Sequence, residues 1–305
     1  MKITIKQLHF LIFLLLPLTT FSQAETIFNG IALESSTEKI LNKLSSISET
    51  ANLISPKVVR FPLAKNTETH LVCTNIKTEN GVIEKAIFTF ADNKLSYIEA
   101  RGNATNTFES KRKDTARTYL DYKVYVKDKL FLNKKKDIVW ILNQEGMHLN
   151  LFTWENPYLN NSNYKANSSI SKSIPAFIKM GADINDLKPI FETNSLFTNS
   201  EELDGSDPNA QLQINCFGVD YFGFPRKIEA RFGDNKLNVV WILTAKAEEN
   251  RIRQELTKQY GKPVFANDDW EIFDNWKIGL RKDKPEVLLL TQETGLFYKK
   301  EFFKQ

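Results

Sequence analysis

Six residues in the first half of the chain, Phe90-Ala91-Asp92-Asn93-Lys94-Leu95, return almost unchanged as Phe232-Gly233-Asp234-Asn235-Lys236-Leu237. Two apolar runs meeting at Asp-Asn predict a tight hairpin, because Asn tolerates left-handed backbone and both side chains can bond their own backbone. Two copies of one hairpin in a chain of 305 residues predict one folding unit used twice, each copy long enough to bury a core of its own.

The repetition extends outward from the hairpin. Cys216 matches Cys73, and Phe177-Ile178-Lys179-Met180 with the helix opening at Asp183 matches the region from Ile31 to Leu44. Farther on, Ile278-Gly279-Leu280 and Val287-Leu288-Leu289 align with Trp140-Ile141-Leu142 and Leu149-Asn150-Leu151, and Thr291-Gln292-Glu293 with Thr153-Trp154-Glu155. On this alignment the offset between copies shrinks along the chain.

Within the first copy the pattern predicts a short strand at Ile31-Ala32-Leu33, then a helix capped by Ser35 or Ser36 with Ile40, Leu41 and Leu44 inward. Period-two stretches predict strands over 69–74, 82–90 and 94–99, and Asn80-Gly81 marks the turn between the first two. An amphipathic helix is expected over 109–122, followed by strands over 138–142 and 147–153. In the second copy a helix over 245–260 ends at Gly261, with Pro263 beyond it. Antiparallel strands with occasional helices define an α+β class, here two tandem repeat units, each an antiparallel sheet with helices packed on one face. The expected division is residues 1–24 as a signal peptide, 25–159 as the first unit, 160–173 as an Asn/Ser-rich linker and 174–305 as the second unit.

Lys2 and Lys6 precede an apolar run from Phe10 to Leu18, and small residues lead to Ala24. That is the layout of a secretory signal peptide cleaved after Ala24, with a core too short to span a bilayer. The cleavage site is not followed by a cysteine, so the lipid-anchored variant is not expected. Neither is a later transmembrane span, and the expected location is periplasmic or secreted. A net charge of +4 with only short basic clusters argues against nucleic acid as a partner.

Candidate chemistry is sparse. Past the first two dozen residues the only histidines are His70 and His148, at no zinc-binding spacing, and nucleophile elbows, phosphate loops and dinucleotide fingerprints are missing. No catalytic residue, metal or cofactor is therefore expected. The acidic pairs Asp268-Asp269 and Glu201-Glu202 fit solvated surface, and the loop from Glu201 to Asn209 lacks the ligand spacing of a calcium site. Cys73 and Cys216, at equivalent places in an oxidising compartment, pose two readings: a disulfide joining the units, or two buried free thiols.

The copies differ most at one hairpin tip. The first has Thr78-Glu79-Asn80-Gly81, the second Tyr221-Phe222-Gly223-Phe224. Aromatic residues dominate binding hot spots, so Tyr221, Phe222 and Phe224, with Trp270 and Trp276, form the expected binding surface. The competing reading folds them back over a helix or over the other unit.

Where the short strand enters its helix, Met180-Gly181-Ala182-Asp183 with Leu187 one turn on resembles the small modules of the outer-membrane assembly lipoproteins and of the β-lactamase inhibitor protein. The resemblance covers a short stretch of each unit. It implies a concave sheet that binds protein and performs no catalysis. The chain departs from the pattern in lacking a lipid-attachment cysteine and in having a unit longer than one such module. The expectation that follows is an exported, non-catalytic binding protein of the inhibitor or immunity type, whose partner is another protein of the cell envelope or an incoming effector. An envelope assembly factor or chaperone would instead expose an apolar groove between the units. A hydrolase with an unrecognised site would gather His70, His148 or paired carboxylates in a deep pocket.

Overall fold

The structure, a computed structural model, describes residues 23–110, 115–165 and 171–303. Residues 1–22 of the expected signal peptide and 166–170 of the expected linker lie outside that range.

The first unit forms an eight-stranded antiparallel sheet from β1 (Thr50–Ile54), β2 (Glu68–Thr78), β3 (Gly81–Ala91), β4 (Lys94–Arg101), β5 (Arg117–Tyr119), β6 (Tyr122–Tyr125), β7 (Leu130–Asn133) and β8 (Ile138–Leu142), in the order β1-β2-β3-β4-β8-β7-β6-β5. The second sheet is built from β9 (Phe197–Glu202), β10 (Leu212–Tyr221), β11 (Phe224–Gly233), β12 (Lys236–Leu243), β13 (Phe265–Ala266), β14 (Trp270–Phe273), β15 (Ile278–Arg281) and β16 (Glu286–Leu290). Its order is β9-β10-β11-β12-β16-β15-β14-β13, the first order with eight added to each number. The duplication is therefore one of topology as well as sequence, and the fold is α+β. The helices are α1 (Gln23–Ile27), α2 (Thr37–Ser45), α3 (Ala104–Glu109), α4 (Gln144–His148), α5 (Pro157–Asn160), α6 (Ile184–Thr193), α7 (Glu249–Tyr260) and α8 (Gln292–Glu301).

The repeated hairpin is a turn with both central residues left-handed: φ is 49° and 66° at Asp92 and Asn93, and 50° and 61° at Asp234 and Asn235. Its returning strand also catches the chain that enters the next helix. The Glu34 amide donates to Leu95 O and the Leu95 amide to Ser35 O; Gly181, Leu237 and Ala182 repeat that exchange. One residue later comes the cap: Ser36 accepts from the Lys39 amide and Asp183 from the Asn185 amide, satisfying donors that a helix start leaves open. The helix then lays Ile40 and Leu44, or Leu187 and Phe191, on the sheet. Hairpin, cap and buried helix face are thus one device, used twice.

Each sheet has its own core beneath these helices, with Leu71, Phe88, Phe90 and Ile141 in the first and Ile214, Phe232, Val240 and Leu289 in the second. The opposite face of the first sheet is closed as well. Leu149 to Trp154, α5 and aromatic residues from the second unit cover it.

Several local expectations are corrected. Ile31 is buried but Ile31-Ala32-Leu33 forms no strand. Residues 111–114 of the expected helix over 109–122 lie outside the described residues; on either side, α3 ends at Glu109 and the β5–β6 hairpin takes the place of helix, with Leu120 at the left-handed turn position at φ 50° and 60% exposed. The expected strand over 147–153 is α4 followed by a 3-10 turn, because Asn143 caps the Gly146 amide and starts a helix there. The C-terminal alignment also changes. Ladder registers pair Tyr97 with Leu142 in one sheet and Val239 with Leu290 in the other, so Trp140-Ile141-Leu142 corresponds to Leu288-Leu289-Leu290 and Leu130 to Ile278. The offset between copies falls from 147 at the helix caps to 142 at the hairpin, as expected, but then rises to 148 at the last strands instead of shrinking further.

Candidate functional site

The aromatic tip does not present one surface. Tyr221, 1% exposed, turns into the second core, and Phe222 packs edge-on against it at 4.9 Å while touching the same core. Phe224 points the other way, into the first unit, 5.0 Å from Trp154 and 6.1 Å from Phe61. Trp276 is 6% exposed under Phe265 and Phe303; Trp270 is half-buried. The expected binding surface is therefore corrected: Tyr221, Phe224 and Trp276 are internal because exposed rings bury more area by folding onto a neighbour, while Phe222 and Trp270 stay partly exposed at separate places.

What they build is a seam between the units. Phe197 and Phe217 stack at 4.5 Å and meet Tyr119, Tyr122 and Phe152 of the first unit. Arg251 donates to Ala64 O at 2.8 Å and Phe61 O at 3.3 Å, and His148 Nε2 lies 3.2 Å from Pro285 O. The seam is packed, apart from an apolar crevice of about 270 Å³ between Tyr122, Phe131 and Phe217. By ladder position the first-unit counterparts of Phe197, Phe217 and Phe224 are Thr50, Thr74 and Gly81. Thr50 and Thr74 hydrogen-bond at 2.7 Å where the phenylalanines stack. The units diverge here because only the second has a seam to fill.

At one end of the seam is a cleft of about 370 Å³ walled by Trp154, Tyr158, Tyr164 and Phe224, with Lys57 and Glu68 at its lining. Beneath it lies a polar cluster. Glu68 accepts from the amides of Arg60 and Phe61 and from His70 Nε2 at 2.8 Å. Burial opposes its charge, but the bond to His70, the attraction to that ring and the two amides hold the carboxyl below its usual range. Asn156 Oδ1 takes the Tyr158 amide, so its NH2 faces His70 Nδ1 at 3.1 Å and Thr89 Oγ1 at 3.0 Å. That orientation makes Nδ1 the acceptor and Nε2–H the donor to Glu68. His70 and Asn156 are 0% exposed and Tyr158 stacks on the imidazole at 4.7 Å. The cluster fixes α5 on the sheet, and His70, Thr89 and Asn156 are fully enclosed behind Glu68 and Tyr158, which line the cleft.

The staple between cysteines is corrected too. Cys73 and Cys216 are free and buried, each under its own unit's helices in a separate core. Burial pushes both thiols up to about 12. Native protein at pH 8 is expected to resist iodoacetamide, and unfolded, unreduced protein to take up two carbamidomethyl groups by mass. A mass showing none would restore the disulfide.

The remaining acidic candidates are structural or exposed. Glu201 accepts from Gln213 and Asn215, Asp204 and Asp207 cap their own turns, and Asp268 and Asp269 are exposed. Among the described residues, groups of three or more His, Cys, Asp or Glu side chains that could hold a metal are not found, and the described helices are all too short or too polar to cross a membrane.

A second cavity, about 430 Å³, opens on the outer face of the second sheet, lined by Trp241, Asp269, Trp270, Arg281, Leu288 and Phe302 among others. Its strand residues are the ladder counterparts of Glu99, Tyr122, Asn133 and Trp140, which underlie the seam in the first unit. There the face is sealed, with Trp140 2% and Trp154 9% exposed; here Phe302 is 63% exposed. Trp270 lies flat over Gly279, where a Cβ would come within 3.1 Å of the indole. The Arg231 and Arg281 guanidiniums sit 5.9 and 6.0 Å from the Trp241 ring, fixing it. Trp241 Nε1–H is buried without an acceptor. Sequence reasoning named Trp270 but missed Trp241 and Phe302; the signal was Trp241 standing where the first copy has Glu99, four residues past the repeated hairpin.

Family models, curated proteins and solved structures were compared with this chain, and none matches. Fold and site together define a two-unit α+β scaffold in which α8 packs on the outer face of the second sheet and leaves a cavity of about 430 Å³ beside Trp241 and Trp270.

Proposed function

We propose that the protein is an exported, non-catalytic binding protein that acts through a protein–protein interface, of the inhibitor or immunity type, on a partner of the cell envelope or an incoming effector. The observation carrying this reading is the aromatic-walled cavity of about 430 Å³ beside Trp241, Trp270 and Phe302 on the outer face of the second sheet. Half-buried aromatic side chains on a rigid sheet, with arginine beside them, have the composition of interface hot spots. Support against catalysis comes from His70, which is enclosed and tied to Glu68, Thr89 and Asn156, and from His148, which spends its ring nitrogen on Pro285. Export rests on the first 24 residues, and the resemblance of the Met180 to Leu187 stretch to protein-binding modules agrees with a binding role. An assembly factor with a wide apolar groove between the units is less well supported, since a packed aromatic seam occupies that place.

The test is capture from the envelope fraction of the source cells, identification of the retained protein, and reconstitution of the complex from two purified components. A complex that forms with wild type and weakens at least tenfold with Phe302→Ser supports the reading. Failure of any captured protein to bind again when purified overturns it.

A further inference from the structure

We propose that the cleft at the end of the seam binds a small anion carried on a flat ring, of the aryl carboxylate, sulfonate or phosphate class. The site is separate from the cavity beside Trp241 and does not depend on the protein-binding reading above.

The cleft has a volume of about 370 Å³, within the range of small-molecule sites, and it lies where such sites concentrate, at the junction of two units. Trp154 and Tyr158 reach it from the first unit, Phe224 from the second, and Tyr164 from the chain leaving the first. The deep walls are fixed in advance. The Trp154 carbonyl accepts from Tyr97 Oη at 2.8 Å and from Trp140 Nε1 at 2.9 Å, its ring packs 5.0 Å from Phe224, and Tyr158 stacks on His70 at 4.7 Å. Tyr164 meets Tyr158 edge-on at 5.5 Å and is 38% exposed, which leaves an aromatic ring at the mouth. Rigid rings around a gap favour a flat guest, because they meet it without losing side-chain freedom on binding.

Charge decides the sign of that guest. Aromatic walls beside a glutamate would by themselves suit a cation. Glu68, however, is 5% exposed, and its two oxygens already accept from His70 Nε2 and from the amides of Arg60 and Phe61, so its charge is satisfied from within. Lys57, Arg60 and Lys165 line the same cleft. Lys57 and Lys165 are exposed, and neither has an ion-pair partner among the described residues. Cations around one enclosed and satisfied acid make the mouth positive, which attracts an anion and supplies charge-assisted hydrogen bonds to it.

The test uses the full-length mature chain and anilinonaphthalene sulfonate, a ring-borne anion whose fluorescence rises on leaving water. Expected is saturable binding that weakens with added salt, falls about tenfold when Lys57→Glu is combined with Lys165→Glu, and falls about tenfold with Tyr164→Ala. Phenylnaphthylamine, which has the same rings without the sulfonate, is expected to bind about tenfold more weakly and to be indifferent to the charge reversals. Phe302→Ser, which alters only the other cavity, is expected to leave the sulfonate bound as before. All these positions are exposed, so the variants keep the fold, and thermal melts verify it. Equal affinity for the uncharged dye, displacement of the sulfonate by phenyltrimethylammonium, or loss of its binding in Phe302→Ser would each overturn the proposal. So would sulfonate binding that ignores the lysine and Tyr164 substitutions, or no saturable binding at all. A chain that meets every expectation here yet retains no envelope protein would remove the protein-binding reading and keep this one.

Discussion

Arg226→Met is expected to cost about 3–5 kcal/mol of stability, the loss that follows when one partner of a buried ion pair is removed and the other stays charged in the core. Arg226 is 0% exposed, its guanidinium 2.5 and 2.8 Å from the two oxygens of Glu248, and its Nε bonds Tyr221 O. Glu248 also accepts the Ala245 amide. The first unit shows what the position tolerates without the pair: the ladder counterpart of Arg226 is Ile83, also 0% exposed. The double variant Arg226→Ile with Glu248→Leu is accordingly expected to recover most of the loss, and urea titrations of wild type, both single variants and the double variant measure the coupling. Additive single losses would show that the pair does not act as a unit.

The second large effect concerns the seam. Phe224→Ala removes a ring, 6% exposed, that touches both Trp154 and Phe61, and substitutions of this kind cost about 3–5 kcal/mol. Here the loss falls between the units rather than inside one, since each unit keeps its own core. Calorimetry is expected to resolve one wild-type transition into two in the variant, with the unit carrying the exposed seam face melting first. Phe222→Ala, whose side chain lies partly in solvent, serves as the comparison and is expected to preserve the single transition. Unchanged cooperativity in Phe224→Ala would mean that the remaining contacts, Phe197 and Phe217 above all, suffice to couple the units.

Much of the architecture was legible in the residues. The Asp-Asn hairpin, Ser36 as a cap, the Asp183 helix and the Gly261 stop all depend on local chemistry, in which a residue's preferred backbone or its own side-chain bond decides the outcome. The errors came where distant contacts decide. Residues 147–153 carry alternating apolar side chains that fit a strand, yet Leu149, Leu151, Phe152 and Trp154 cover a sheet face from a turn of helix and a loop. Tyr221 to Phe224 show the same limit at the site: sequence identifies rings too large to leave in water and is silent on which apolar surface will receive them. The cavity of the second unit was half legible: Trp241 for Glu99 follows from the repeated hairpin, but Leu288 for Trp140 needed the strand pairing, because the loops between them differ in length.

The one-sided contact between the units has an evolutionary corollary. Two copies that gripped each other mutually would consume both sockets and finish as a closed pair. A face gripping an edge instead makes an open-ended array: each unit added at the C-terminal side satisfies its predecessor and introduces a fresh socket of its own. The last face can then change its side chains, as Trp241 for Glu99 and Leu288 for Trp140 illustrate, because it has only its own α8 to hold and no following unit. Duplication in this geometry supplies stability at one position and freedom to diverge at the next.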